Sequence, residues 1–230
     1  MSPDNAQDIL SPDLYAPPTV LSAFEISMLA SDGGLFSSGT ICGIVKGEHS
    51  GLNEIIRRVQ ISALEDLYDG KTEPCLAPAE LDRCSQITHY AVSAGSQGVY
   101  ELYWPRARCR TWEELRGTTL YFRRFHGATD AQLHQVALRF EQDITNGVRY
   151  DFLALLSFYW RWHLKAARPY RYVELFGTLS GSRDVCSTRV VYNHTKDGLL
   201  EDPGTYLWKY YPAQLAHDPL WDDIGHVTIR

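Results

Sequence analysis

Apolar positions along the chain switch between a period of two and a period near 3.6, and the switches mark the elements. The run Ile87-Thr88-His89-Tyr90-Ala91-Val92-Ser93 alternates, Ala94 to Gly98 is rich in turn residues, and Val99-Tyr100-Glu101-Leu102-Tyr103 returns. That pattern predicts an antiparallel hairpin. Thr118 to Phe125 predicts another strand, and His226 to Ile229 an edge strand. Val20 to Leu29 fits a strand or a short helix equally well. Helical spacing covers Leu52 to Tyr68, with Ile55, Ile56, Val59, Ala63, Leu64 and Leu67 on one stripe. Thr129-Asp130-Ala131-Gln132 reads as a capping box. The helix it opens buries Leu133, Val136, Ala137, Phe140 and Ile144, and Asn146-Gly147 closes it. Tyr150-Asp151-Phe152 leads into an aromatic helix, Leu153 to Trp162, predicted to be buried, with Arg168 to Gly181 as a connector. A last helix starts at Cys186 behind an Asp184 N-cap and runs to Asn193 or His194, with Gly198 as its stop. The Gly-, Ser- and Thr-rich stretch from Leu35 to Val45 predicts a loop, and Lys71 to Asp82 an excursion between elements.

Strands and helices thus mix without the regular alternation of a parallel α/β fold, and the expected class is α+β. A chain of 230 residues with 44% hydrophobic and 22% charged residues can bury one full core. Residues 1–18, Pro-rich and acidic, are expected to form a flexible arm. Residues 19–230 are expected to form a single domain that ends in a Trp- and Tyr-rich extension. The arm lacks a basic stretch followed by an apolar core, so the expectation is synthesis in the cytoplasm without a Sec signal. No uninterrupted apolar run approaches the ~20 residues of a membrane span. A net charge of −6 gives no electrostatic reason to expect nucleic acid as a partner.

The candidate chemistry starts with the five cysteines, Cys42, Cys75, Cys84, Cys109 and Cys186. None forms a C-x-x-C pair, and the odd number leaves at least one thiol free; a Cys75–Cys84 bridge stays open. No metal or cofactor is expected, because a zinc site using Cys84 and His89 lacks a second pair at ligand spacing. Cys186 is set apart by its place in the first turn of a helix, where free N–H groups and the dipole favour a thiolate. The alternative is a small buried apolar residue at a helix start. A nucleophile needs an imidazole, and the imidazole needs an orienting group. His194 is eight residues further along the same helix, about 12 Å away and out of reach. His89 lies inside a strand, and one of the two parities open to the hairpin puts Glu101 on its face at cross-strand distance.

The ordered segments Thr88-His89-Tyr90-Ala91-Val92, Val99-Tyr100-Glu101-Leu102-Tyr103, Tyr150-Asp151-Phe152 and Val185-Cys186-Ser187-Thr188-Arg189-Val190-Val191 resemble the circularly permuted branch of the NlpC/P60 superfamily. The resemblance spans roughly residues 25 to 195. The late motif departs from the family's Cys-Ser-Glu-Leu-Val, and the early Gly-Asp strand motif is degenerate around Ser31-Asp32-Gly33. The resemblance implies a papain-like fold in which a cysteine at a helix N-terminus packs on an antiparallel sheet. It implies Cys186 as nucleophile, His89 as general base and then acid, Glu101 as the orienting group, and Tyr150 as an oxyanion or cleft residue. It further implies a thiol amidase or endopeptidase acting on peptidoglycan stem peptides. Such an enzyme would be delivered to the cell wall by a phage particle or a contact-dependent secretion system, with an immunity protein as a possible partner. Two alternatives share the scaffold. One is an acyl-lipid hydrolase or acyltransferase of the lecithin:retinol acyltransferase type, with Phe158 to Trp162 facing lipid; the other is an inactive binding module.

Overall fold

The computed structural model describes residues 16–31, 34–46, 54, 56–58, 60, 61, 78–151, 183–200 and 212–230. Within them the fold is α+β, built on one nine-stranded sheet. The strands are β1 (Thr19–Leu21), β2 (Ile41–Lys46), β3 (His89–Ser93), β4 (Val99–Tyr103), β5 (Arg106–Arg110), β6 (Thr118–Phe125), β7 (Arg149–Tyr150), β8 (Arg183–Asp184) and β9 (Trp221–Ile229). Their order across the sheet is β1-β9-β6-β2-β3-β4-β5-β7-β8. The sheet is mixed rather than antiparallel throughout: β1 runs parallel to β9, and β7 parallel to β8.

The helices are α1 (Ala23–Leu29), α2 (Pro78–Gln86), α3 (Asp130–Thr145), α4 (Cys186–Lys196) and α5 (Pro212–His217). Alternation sorts the strand residues between two apolar layers. On one face Ile41, Tyr90, Val92 and Tyr100 pack with Val136, Ala137 and Phe140 of α3, Val190 and Val191 of α4, and Leu215 of α5. On the other, Cys42, Ile44, Ala91, Val99, Leu120 and Phe122 pack with Ile26 and Leu29 of α1 and with Trp112 and Leu115.

Local signals account for most boundaries. Thr129 caps α3, with Thr129 Oγ1 accepting from Gln132 N–H while the Gln132 side chain reaches back to Thr129 N–H. Val20 to Leu29 is both of its alternatives in succession, a short strand and then a helix capped by a Ser22/Glu25 box. Residues 54, 56–58, 60 and 61 are helical, as expected for that stretch. The aromatic helix, the connector, Cys75 and the N-terminal arm up to residue 15 lie outside the described residues.

Four expectations are corrected. The stretch read as a loop holds β2, a central strand; Gly43 is needed there, because a Cβ would stand 2.7 Å from Ile87 Cγ2. Part of the 71–82 excursion is helical, since α2 begins at Pro78, a residue suited to the first helical position. The C-terminal strand is longer than read and is not at the edge, because β1 covers it. The N-cap of α4 is Val185, not Asp184. Asp184 stands one position earlier, and its carboxylate accepts from Val185 N–H at 2.9 Å and from Thr188 Oγ1. Cys84 is a buried free thiol. No described helix is long and apolar enough to cross a membrane.

The hairpin β3–β4 turns through Gly98, whose φ of 139° lies outside the range L-residues favour. A Cβ there would sit 1.9 Å from the Arg110 carbonyl oxygen on β5. Gly98→Ala is therefore expected to destabilise the protein by about 2–4 kcal/mol, read as a fall in the urea midpoint. An unchanged midpoint would show that the turn can relax away from β5.

Candidate active site

The register of the central hairpin fixes which residues can meet. Ala91 pairs with Glu101 and Ser93 with Val99, so His89, Ala91 and Ser93 share a face with Val99, Glu101 and Tyr103. Of the two parities open to the sequence, this is the one that brings His89 to Glu101. The β3–β4 ladder stops at Ala91/Glu101, so the start of β3 and the end of β4 are not paired with each other and another group can enter between them. That group is Cys186, the first residue of α4, which hydrogen-bonds the Tyr90 and Ser187 backbone N–H groups and the His89 ring.

The result is a linear chain of side chains with almost no access to water. His89 Nε2 lies 2.9 Å from Glu101 Oε2. Nε2 being engaged there, the hydrogen bond between His89 and Cys186 falls to Nδ1. Glu101 is 0% exposed, Cys186 4% and His89 7%. A carboxylate this deep needs compensation. Arg108 supplies it, with Nε donating to Glu101 Oε1 at 2.7 Å, and Arg110 adds a guanidinium at 3.6 Å. Tyr103 closes the far side, its ring edge-on to the His89 ring at 5.4 Å with the Arg108 guanidinium stacked over it at 4.5 Å.

The protonation pattern follows from these contacts. Burial alone would raise the Glu101 pKa, but the hydrogen bond and charge of His89, with the Arg110 and Arg108 charges, bring it down to about 2. Burial disfavours the His89 cation, yet Cys186 and Glu101 on its two sides raise it to about 10. Burial likewise opposes a Cys186 thiolate. The His89 charge and hydrogen bond, and the Tyr90 and Ser187 N–H groups, outweigh it and lower the pKa below the ordinary thiol value. Burial pushes up Cys42 and Cys84, Cys84 to about 11, because the arginine charges near them, and the Ala91 N–H at Cys42, do not offset it. The arrangement therefore favours a thiolate–imidazolium pair at Cys186 and His89 and at no other described cysteine.

Tyr150, on β7, is the register partner of Asp184, which leads into α4. Burial, and then the Cys186 charge, hold its hydroxyl well above the usual phenol range, so it remains a donor facing the sulfur's field. Asp184 is buried and raised to about 6, chiefly by burial, and anchors the helix entry through Val185 and Thr188. Further along α4, Arg189 Nε donates to Asp143 of α3 at 2.7 Å, and Asn193 adds a bond at 3.0 Å. His194 is no part of the site. Its Nδ1 donates to the Val190 carbonyl at 2.8 Å, and burial lowers its pKa to about 4.

All four residues singled out in the sequence thus lie at one end of the sheet, with Cys186, His89 and Glu101 in direct succession. The residues not anticipated are Arg108 and Arg110. The alternation Arg106-Ala107-Arg108-Cys109-Arg110 carries their signal, a strand with three arginines on the face of Glu101. No family model, curated protein or solved structure matches the chain, so the functional reading rests on the residues themselves.

Proposed function

We propose that this protein is a thiol hydrolase of papain-like architecture, in which Cys186 is the nucleophile, His89 the proton carrier and Glu101 the residue that orients the imidazole. The observation that carries the reading is the buried succession Cys186–His89–Glu101, with Glu101 held ionised by His89 and then by Arg110 and Arg108. Burying a His–Glu–Arg network is costly where packing alone would serve, which favours a chemical use over an inert scaffold. The further step to the permuted NlpC/P60 type, and so to an amidase or endopeptidase on peptidoglycan stem peptides, is supported by the order and spacing of the four motifs.

The chemistry runs as two proton-coupled displacements. The Cys186 thiolate attacks the amide carbonyl carbon, and the developing oxyanion meets the backbone N–H groups at the start of α4, with the Tyr150 hydroxyl a candidate second donor. His89 gives its Nδ1 proton to the departing amine as the C–N bond breaks, leaving a Cys186 thioester. Water then loses a proton to His89 and adds to the thioester, and collapse releases the acid and the thiolate. Through both steps Glu101 fixes the ring by its bond to Nε2.

Incubation of the purified protein with defined muropeptides, followed by mass spectrometry, tests the reading. The expected result is a mass gain of one water across a single stem-peptide amide, absent with Cys186→Ala. Cleavage of phospholipid esters instead would move the protein to acyl-lipid chemistry while keeping the nucleophile. Turnover by Cys186→Ala would remove the nucleophile assignment.

A further inference from the structure

Beside the site the sheet carries a pairing that works against stability. Tyr103 of β4 pairs with Arg106 of β5, and Arg106 pairs with Arg149 of β7. The two backbone bonds flank the arginine pair rather than joining it. Ala107 N–H donates to the Val148 carbonyl at 2.8 Å, and Tyr150 N–H to the Pro105 carbonyl at 3.0 Å. Arg106 and Arg149 thus form a non-hydrogen-bonded antiparallel pair, the kind that brings facing side chains closest. Like charges so placed repel. Both residues are exposed, and neither has an ion-pair partner among the described residues. The chain as a whole carries a net charge of −6, so this is not the spill-over of a generally basic surface.

The position of the pair is specific. Arg106 is on the face of Glu101 and Arg108, directly across from Tyr103, whose ring touches His89. Arg149, the register partner of Arg106 on β7, shares that face, while Tyr150 one residue later points to the other. Trp104, 60% exposed, stands in the turn between Tyr103 and Arg106. Two guanidiniums side by side can grip one oxyanion with several parallel N–H donors, which relieves their repulsion.

We propose that Arg106 and Arg149 form an oxyanion-binding site beside the Cys186–His89–Glu101 chain, selecting substrates that carry a carboxylate or phosphate near the bond attacked. The inference rests on the nucleophile reading for its link to catalysis, but the site itself can be tested without it. Iodoacetate and iodoacetamide differ in charge and alkylate the same thiol, so their rates at Cys186, followed by peptide mass spectrometry, report the local anion preference. In Arg106→Gln/Arg149→Gln the iodoacetate rate is expected to fall about tenfold while the iodoacetamide rate is unchanged. Inorganic phosphate and acetate are titrated by calorimetry into the same two proteins. Binding to the wild type that is lost in the variant supports the site. A preference for phosphate points to a phosphorylated headgroup, and one for acetate to a peptide carboxylate.

An iodoacetate rate that the substitutions leave unchanged at a reactive Cys186 overturns the proposal and spares the nucleophile. A Cys186 inert to iodoacetamide instead removes the nucleophile, and the titrations alone then decide the site. Equal binding by both proteins, or none by the wild type, overturns it. Both side chains are exposed, so the melting temperature should not drop; if it does, the single variants Arg106→Gln and Arg149→Gln carry the same comparison.

Discussion

Replacing Cys186 by alanine is expected to lower amide turnover by roughly 10⁴-fold or more, because the covalent route is lost and only binding and oxyanion contacts remain. Serine should fare little better. Its hydroxyl is far less acidic than a thiol, and His89, already protonated beside Glu101, is not poised to take its proton. The wild-type pH profile checks the same chemistry from another side. The reactive form needs Cys186 deprotonated and His89 protonated. Alkylation by iodoacetamide should therefore begin to rise below the ordinary thiol range. Hydrolysis should fall as His89 loses its proton near pH 10. Cys186 labelling no faster than that of the exposed Cys109 at neutral pH would contradict an activated thiolate.

Glu101→Gln is expected to cost about 3 kcal/mol of stability and to lower kcat by about 10²- to 10⁴-fold. The amide keeps the shape but removes the charge that compensates His89, Arg108 and Arg110. The Arg108 side chain is 42% exposed and can turn to water, which holds the cost at the lower end for a broken buried pair. The signs of the pH dependence differ for the two partners. Glu101 has a folded pKa of about 2 against an ordinary 4.5, so its contribution is present above pH 4.5 and is lost as pH falls toward 2. His89 has a folded pKa of about 10 against 6.5. Its contribution is full below pH 6.5 and is lost as pH rises through 10. Urea titrations at pH 3, 7 and 10.5 should show the wild type weakened at both extremes. In Glu101→Gln the acid limb should flatten, and an acid limb of unchanged steepness would assign that loss of stability to other carboxylates.

What the sequence revealed about this site depended on where pattern and packing agree. The hairpin was legible because Ile87 to Ser93 and Val99 to Tyr103 alternate around a glycine turn, and α3 because its cap and stripe coincide. The parity of the hairpin was not legible, since either register satisfies the alternation; it is set by the turn through Gly95–Gln97 and Gly98. β2 was hidden by its Gly- and Thr-rich approach, although Ile41, Cys42 and Ile44 are fully buried. β5 was hidden by charge. Three arginines in five residues do not look like a strand until the acid they face is known. The cap of α4 was misplaced by one residue because Asp184 works through its neighbour's N–H rather than from the cap position.

The Arg108–Glu101–Arg110 contact also bears on how this sequence can change. Loss of Glu101 alone strands Arg110 and an imidazolium, and loss of Arg108 alone leaves a carboxylate with no exposure to water short of a donor. Each single step is worse than the pair of steps, so the three positions should show strong non-additivity in double-mutant cycles. Across relatives the same coupling acts as a constraint on inheritance. A lineage that gives up the acid at 101 is expected to give up the positive charges at 108 and 110 with it, so that β5 would revert to an ordinary strand.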